Sequence, residues 1–201
     1  MSHEPLLIQS IDARGVAAIT LNRPDAFNAM SEGLLDALSE AIQALGGNAA
    51  LRAIVIAGAG KAFCAGHDLK EMRAQPSDAY YKDLFNRCSR VMMGLQSLPV
   101  PVIAKVHGLA TAAGCQLVAT CDLAVAAEGT RFGVNGVNIG LFCSTPMVAL
   151  TRNIPRKAAF EMLVTGDFIN AQEALNKGLI NRVADPAQLD EAVESLVSSI
   201  L

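Results

Sequence analysis

The sequence predicts an α/β protein. Three observations predict it: short apolar runs that read as buried strands, glycine-rich segments that follow them, and amphipathic stretches with apolar residues at helical spacing. They recur in that order along 201 residues. A chain of this length with 52% hydrophobic residues buries a sizeable core, and the length favours one domain.

The elements follow in order. "RGVAAITLN", residues 14–22, is an apolar β-branched run and reads as a strand, and "NRPDAFNAM" turns the chain at Pro24 and Asp25. From Ser31, an N-cap residue type, Leu34, Leu35, Leu38, Ile42 and Leu45 share one face of a helix that Gly46 ends. "RAIVIAG" has the look of a buried strand, and "GAGKAFCAGHDLKEM" passes through a loop into a helix start. A second such unit follows, with a helix near Asp78 to Leu98, the strand-like "VPVIAKVHG", and "GLATAAGCQLVATCD" opening into another helix. "DLAVAAE" and "TRF" read as further short strands. The stretch "PRKAAFEMLVTGDFINAQEALNKGLINRVAD" reads as mostly helical with one short extended piece. Leu189, Val193, Leu196 and Ile200 then keep helical spacing until the chain stops without a cap, so an exposed apolar surface near Val193 to Leu201 is expected if nothing covers it. No low-complexity linker or exact repeat interrupts the pattern.

Charge narrows the function classes. With 16 basic against 19 acidic residues and no basic run, a nucleic-acid partner is not expected. "MSHEPLLIQS" lacks a secretory pattern and no apolar stretch approaches about 18 residues, so the expectation is a cytoplasmic protein with no membrane partner. The five cysteines, Cys64, Cys88, Cys115, Cys121 and Cys143, are odd in number and lack metal-type pairing. They read as reduced thiols, with no metal site.

Two loops carry candidate chemistry. "AFCAGHDLK" and "GLATAAGCQ" could each aim a backbone N–H at one carbonyl oxygen, and two such donors make an oxyanion hole. Their small residues equally suit tight packing between layers. Neither is a Walker A loop or a G-x-G-x-x-G fingerprint. Gln116 stands out as one polar amide in an otherwise apolar, small-residue segment. Lys70, read by itself, is a solvated surface lysine.

The stretches "ITLNRPDAFNAM", "KAFCAGHDLKEM", "PVPVIAKVHGLATAAGCQLVATCDLAVAAE", "RFGVNGVNIGLF" and "MLVTGDFINAQEALNKGLINRV" together resemble the crotonase superfamily of enoyl-CoA hydratases and isomerases over nearly the whole chain. The resemblance implies a spiral of ββα units over residues 1–185. Residues 186–201 would begin a C-terminal helical region that is incomplete, in a truncated chain. It implies a coenzyme A thioester as substrate or ligand, no permanently bound cofactor, and a homotrimer or hexamer. Residue by residue, it places His67 and Ala113 as the backbone donors of the oxyanion hole, Ala113 standing where the family has glycine. His67, Asp68, Leu69 and Lys70 would border the adenosine end of coenzyme A, Lys70 meeting phosphate charge, with Ala26 and Phe27 along the adenine and pantetheine path.

The departures are equally specific. Family hydratases carry a glutamate in "GCELA", where this chain has Gln116 in "GCQLV", and a second glutamate where it has Gly136. An amide orients a water but takes no proton from it near neutral pH. Efficient hydration is therefore not expected. The absence of both carboxylates resembles a subgroup called enoyl-CoA hydratase domain-containing protein three. The alternative is a module that sequesters or senses acyl-CoA without changing it, and a third reading is a structural partner of other crotonase chains. Histidine ordinarily titrates near neutral pH, but the family uses the position of His67 for its backbone. Asp68 and Asp122 read as residues that cap or pin loops. Cys143, Ser144 and Thr145 could offer a nucleophile, but no histidine follows them to activate it.

Overall fold

The computed structural model describes residues 4–74 and 76–201. Strands β1 (Leu7–Ile11) and β2 (Val16–Leu21) form an antiparallel hairpin, and helix α1 (Glu32–Gly46) follows. Ser31 caps α1 by accepting the Leu34 N–H, and the predicted face of Leu34, Leu35, Leu38, Ile42 and Leu45 is buried. Strand β3 (Ala53–Gly58) leads through a long loop to α2 (Leu69–Ala74) and α3 (Asp78–Gln96), which packs against α1. Next come β4 (Val102–Val106), β5 (Leu109–Thr111) and α4 (Ala113–Thr120), then β6 (Leu123–Ala127), β7 (Arg131–Gly133) and α5 (Ser144–Asn153). The chain closes with α6 (Arg156–Thr165), β8 (Ile169–Asn170), α7 (Ala171–Lys177), β9 (Arg182–Ala184) and α8 (Leu189–Ile200).

Strand pairing shows how the repeats wind. The large sheet runs β1-β2-β3-β4-β6-β9, parallel from β2 onward, and a small second sheet runs β5-β7-β8. Each of the units β4-β5-α4 and β6-β7-α5 gives one strand to each sheet and then a helix. The turn before them does the same in miniature, through a single bridge from Cys64 to Ala110. Parallel strands covered on both faces need apolar side chains on both, which explains the near-continuous Val, Ile and Ala of β3, β4 and β6.

Three expectations change here. The C-terminal third holds two extended pieces, β8 and β9, where one was expected, because segments of two or three residues show no alternation to read. Strand β1 was not anticipated, since only Leu7 of its five residues is buried. The apolar face of α8 is covered: Leu189, Val193 and Val197 are buried against Val16, Ala53, Ile103, Val125 and Ala127 on the outer face of the large sheet. The Lys105 ammonium at 2.7 Å from Asp190 and the Arg14 to Glu194 pair hold that helix in place.

Among the described residues no helix is long and apolar enough to cross a membrane, and no three metal-ligating side chains converge. All five cysteines are free and buried.

Candidate active site

The loop after β3 and the segment from β4 to α4 are laced backbone to backbone. Phe63 N–H donates to His107 (3.1 Å), Cys64 N–H to Leu109 (3.1 Å), and Thr111 N–H to Cys64 (3.0 Å). The glycines make this approach possible. A Cβ on Gly114 would stand 2.1 Å from the Cys64 carbonyl oxygen, and one on Gly66, at φ +92°, would stand 2.8 Å from the Ala112 Cβ and 3.3 Å from the Ala113 nitrogen. The packing role and the donor role of the small residues are therefore one role. Close packing is what brings the two loops to a common cavity.

Two N–H groups are left over. Met30 N–H donates to Gly66 (2.7 Å) and Asp68 N–H to Met30 (3.1 Å), so this bridge satisfies the neighbours of His67 and skips its own N–H. Ala113 is the first residue of α4, where N–H groups have no partner within the helix and the helix dipole is positive. Among the described residues, neither the His67 nor the Ala113 N–H has an acceptor. Ala112, at φ 50° and ψ −118°, is strained, and its N–H bond to Gly133 (2.9 Å) holds the turn that presents Ala113.

Both donors line a cavity of about 220 Å³. Its walls include Leu69, Met72, Phe85, Ile139 and Phe142, with the Thr111 hydroxyl donating to Asn135 at 2.5 Å. No Asp, Glu, Lys or Arg lines it. The titratable side chains in its wall are His67 and Cys143. Both ring nitrogens of His67 are buried without a hydrogen-bond partner, and the ring meets Phe85 edge-on at 5.3 Å. Burial pushes its pKa down to about 4, with the Met30 carbonyl opposing, so the ring is neutral at pH 7. Burial also raises the Cys143 thiol, with the Gly136 N–H opposing. Cys143 is a thiol with no base bonded to it among the described residues, which argues against it as a nucleophile.

The two positions at which the resemblance would put glutamates part company. Gly136 lies in the cavity wall, and a Cβ there would meet the Leu141 carbonyl oxygen at 2.1 Å and the Cys143 Sγ at 2.9 Å. Backbone already fills the space a side chain would need. Gln116, 6% exposed, does not line this cavity. It lines a second one, of about 260 Å³, and Thr145 at the start of α5 faces both. Gln116 is three residues along α4 from Ala113, about 4.5 Å along the axis.

The expected coenzyme A residues sit around the mouth. Leu69 lines the cavity and is 48% exposed. Lys70 is exposed and has no ion pair among the described residues. Ala26 ends a short 3-10 turn, and Phe27, left-handed at φ 50° and 51% exposed, accepts the Ala65 N–H at 3.0 Å. Neither Ala26 nor Phe27 reaches the cavity. Asp68 caps α2 through the Lys70 N–H (3.0 Å) and pairs with Arg23 at 3.0 Å, and Asp122 accepts the Val102 N–H at 2.8 Å, so both pin loops as expected. Thr111, Asn135 and Phe85 were not singled out from sequence; Thr111 and Asn135 fall in the quoted motifs, but nothing in their spacing marks them.

Comparison with known proteins agrees with this architecture. A family model described as enoyl-CoA hydratase/isomerase matches residues 12–201. A rat protein named enoyl-CoA hydratase domain-containing protein 3, mitochondrial, is 46% identical over 98% of this chain and 66% of its own length. The chain thus spans about two thirds of the length of such curated relatives. A crystal structure of an enoyl-CoA hydratase from Mycobacterium smegmatis is 63% identical and superposes with a TM-score of 0.97, covering 98% of this chain and 77% of that one. The crystal structure of human enoyl-CoA hydratase domain-containing protein 3 is 45% identical with a TM-score of 0.93, covering 98% and 77%. The expectation of a cytoplasmic protein does not stand, because the rat, frog, mouse and human relatives are all named mitochondrial. It rested on a missing secretory pattern, and that pattern is silent about a mitochondrial address. Laced glycine loops, two unpaired N–H donors over one cavity and a match from residue 12 to residue 201 lead to one conclusion: this chain belongs to the enoyl-CoA hydratase/isomerase family.

Proposed function

We propose that this chain binds an acyl-CoA thioester with its carbonyl oxygen between the N–H groups of His67 and Ala113, and that it does not hydrate an enoyl-CoA efficiently. One observation carries the reading: His67 and Ala113, whose backbone N–H groups have no acceptor among the described residues, both line an apolar cavity that no carboxylate lines. Such donors act in a water-poor site on the charge that develops as a thioester becomes enolate-like. Hydration needs more, a group to deprotonate water and a group to protonate carbon. Gln116 lies outside the cavity, Gly136 has no side chain, and an imidazole with a pKa near 4 is a weak base at pH 7. The chemistry these residues support is holding and polarising the thioester, as in a protein that sequesters or senses acyl-CoA.

The remaining parts of the ligand follow from the mouth. His67 to Lys70 borders the coenzyme, the free ammonium of Lys70 meets phosphate, and Ala26 with Phe27 flanks the adenine. Ile139, Phe142, Phe160 and Val164 are exposed apolar side chains, which supports a homotrimer or hexamer that covers them.

The test compares acetyl-CoA with S-ethyl-CoA, a thioether that keeps the coenzyme and lacks the carbonyl. Calorimetry is expected to give about tenfold tighter binding of the thioester, from roughly two hydrogen bonds at ~1 kcal/mol or less each. Ala113→Pro, which deletes one donor at a helix position that tolerates proline, is expected to shrink that difference. Equal binding of the two ligands by the parent chain overturns the reading.

A further inference from the structure

The cavity beside Ala113 has one polar side that the chemistry above does not use. Asn135 opens the short 3-10 turn Asn135–Ile139 that follows β7, and it lines the cavity together with Thr111, Ala112 and Ala113. Two tethers fix it there. The Ala112 N–H bonds Gly133, two residues before Asn135, and the Thr111 hydroxyl donates to the Asn135 Oδ1 at 2.5 Å.

The second tether decides which end of the amide is free. Oδ1 is held by Thr111, while Nδ2 is accessible and donates to no protein group among the described residues. Thr111 is 6% exposed, so turning the amide over would leave a buried hydroxyl proton without its acceptor. The other polar groups in the wall are less selective. The ring nitrogens of His67 are closed off by their neighbours, and the hydroxyls of Ser144 and Thr145 can each donate or accept.

An acyl chain that fills this cavity drives water from Nδ2. A saturated chain gives nothing back, and a donor left unpaired in a filled site is costly, whereas a chain with an oxygen at that place restores the bond. Charge is not the matching chemistry. No Lys or Arg lines the cavity, so a carboxylate there would lose its water without gaining a counter-ion. The tethers also set the position. Thr111 and Ala113 are two residues apart, at most about 7 Å between Cα atoms, so the amide stands beside the Ala113 donor with room for one acyl carbon between the two oxygens.

Resting on the acyl-CoA reading above, we infer that Asn135 is a specificity-determining residue that selects acyl groups carrying an uncharged oxygen, keto or hydroxyl, on the third carbon. Thr111 is its positioning residue, holding Oδ1 so that Nδ2 is the end offered to the ligand.

The experiment is calorimetric binding of butyryl-CoA, acetoacetyl-CoA, 3-hydroxybutyryl-CoA and malonyl-CoA. The first three share a four-carbon chain and differ in the oxygen, and malonyl-CoA places a carboxylate at the third carbon. The expected result is about tenfold tighter binding of acetoacetyl-CoA or 3-hydroxybutyryl-CoA than of butyryl-CoA, with malonyl-CoA no tighter than butyryl-CoA. The tighter of the two oxygenated esters identifies the oxygen. Asn135→Leu, which cannot donate, and Asn135→Asp, which keeps the bond to Thr111 but replaces Nδ2 by an oxygen, are both expected to bring that ratio to about one. Thr111→Val is expected to lower the ratio and Thr111→Ser to restore it. A merely structural Asn135 would weaken all four esters alike and leave the ratio standing, which would overturn the assignment. If the parent binds butyryl-CoA as tightly as both oxygenated esters, this inference fails and the oxyanion-hole reading stands. If the parent binds none of the four, both fail. If malonyl-CoA binds tightest, the selection of an uncharged oxygen is overturned.

Discussion

Gly114→Ala puts the lacing of the two loops to a quantitative test. In an ordinary helix interior this change stabilises by about 1 kcal/mol. Here the sign reverses. The new Cβ would lie 2.1 Å from the Cys64 oxygen, 2.8 Å from its carbonyl carbon and 2.9 Å from its Cβ, where carbon and oxygen ordinarily meet at about 3.3 Å or more. Relief requires a shift of roughly 1 Å between buried backbones that the Thr111 to Cys64 and Cys64 to Leu109 bonds hold together. Overpacking of about 1–3 kcal/mol and one weakened hydrogen bond of about 1 kcal/mol outweigh the helical gain, for a net loss of about 1–3 kcal/mol. For a chain of this size that lowers Tm by about 2–12 °C, read by circular dichroism. Gly129→Ala serves as the control: it has open space but a φ of +79°, so it is expected to cost only about 1 kcal/mol of backbone strain. A Gly114→Ala variant as stable as the parent would refute the argument that backbone proximity, and not helix preference, dictates glycine there.

Other predictions address the site. Gly136→Glu is expected to lower stability by about 1–3 kcal/mol in chemical denaturation and to give no hydration, because its Cβ collides with Leu141 before any carboxylate is placed. His67 makes stability pH-dependent. Its folded pKa is lowered from 6.5 to about 4, so the unfolded chain binds the proton more readily, and stability present above pH 6.5 is lost as pH falls toward 4. His67→Gln is expected to flatten that window in unfolding measured between those values. For Asp68, burial raises the carboxyl pKa, but Arg23 and the N–H groups of Glu71 and Lys70 outweigh it and leave it below 3.8. Its stabilisation is present above the unfolded value and lost as pH falls through the folded one, and Asp68→Asn is expected to remove that acid-side loss.

How much of this was legible in the sequence varied with the kind of pattern involved. Periodicity over a long window made α1 readable from Ser31 to Gly46, since each of the five apolar positions had only one face to occupy. The residues of β1 and β8 were too few, or too exposed, to leave a pattern. For α8 the spacing of Leu189 and Val193 was visible and the burial of Val197 was not, and its partner face on β2, β3, β4 and β6 is assembled from four separate segments. The close packing of the two glycine-rich loops was legible because close backbone approach demands glycine, and glycine is visible as a letter. The separation of Gln116 from Gly136 was not, because which cavity each residue lines depends on how distant segments, such as that around Thr145, pack against them.

The central claim is binding without hydration. Crotonyl-CoA titrated into the chain by calorimetry, with the absorbance of the conjugated enoyl thioester followed in the same samples over hours, tests it most directly. The account predicts saturable binding with the absorbance unchanged. Loss of that absorbance at an enzyme-like rate, above about 1 turnover per second, would contradict it and show that a group other than a carboxylate activates the water.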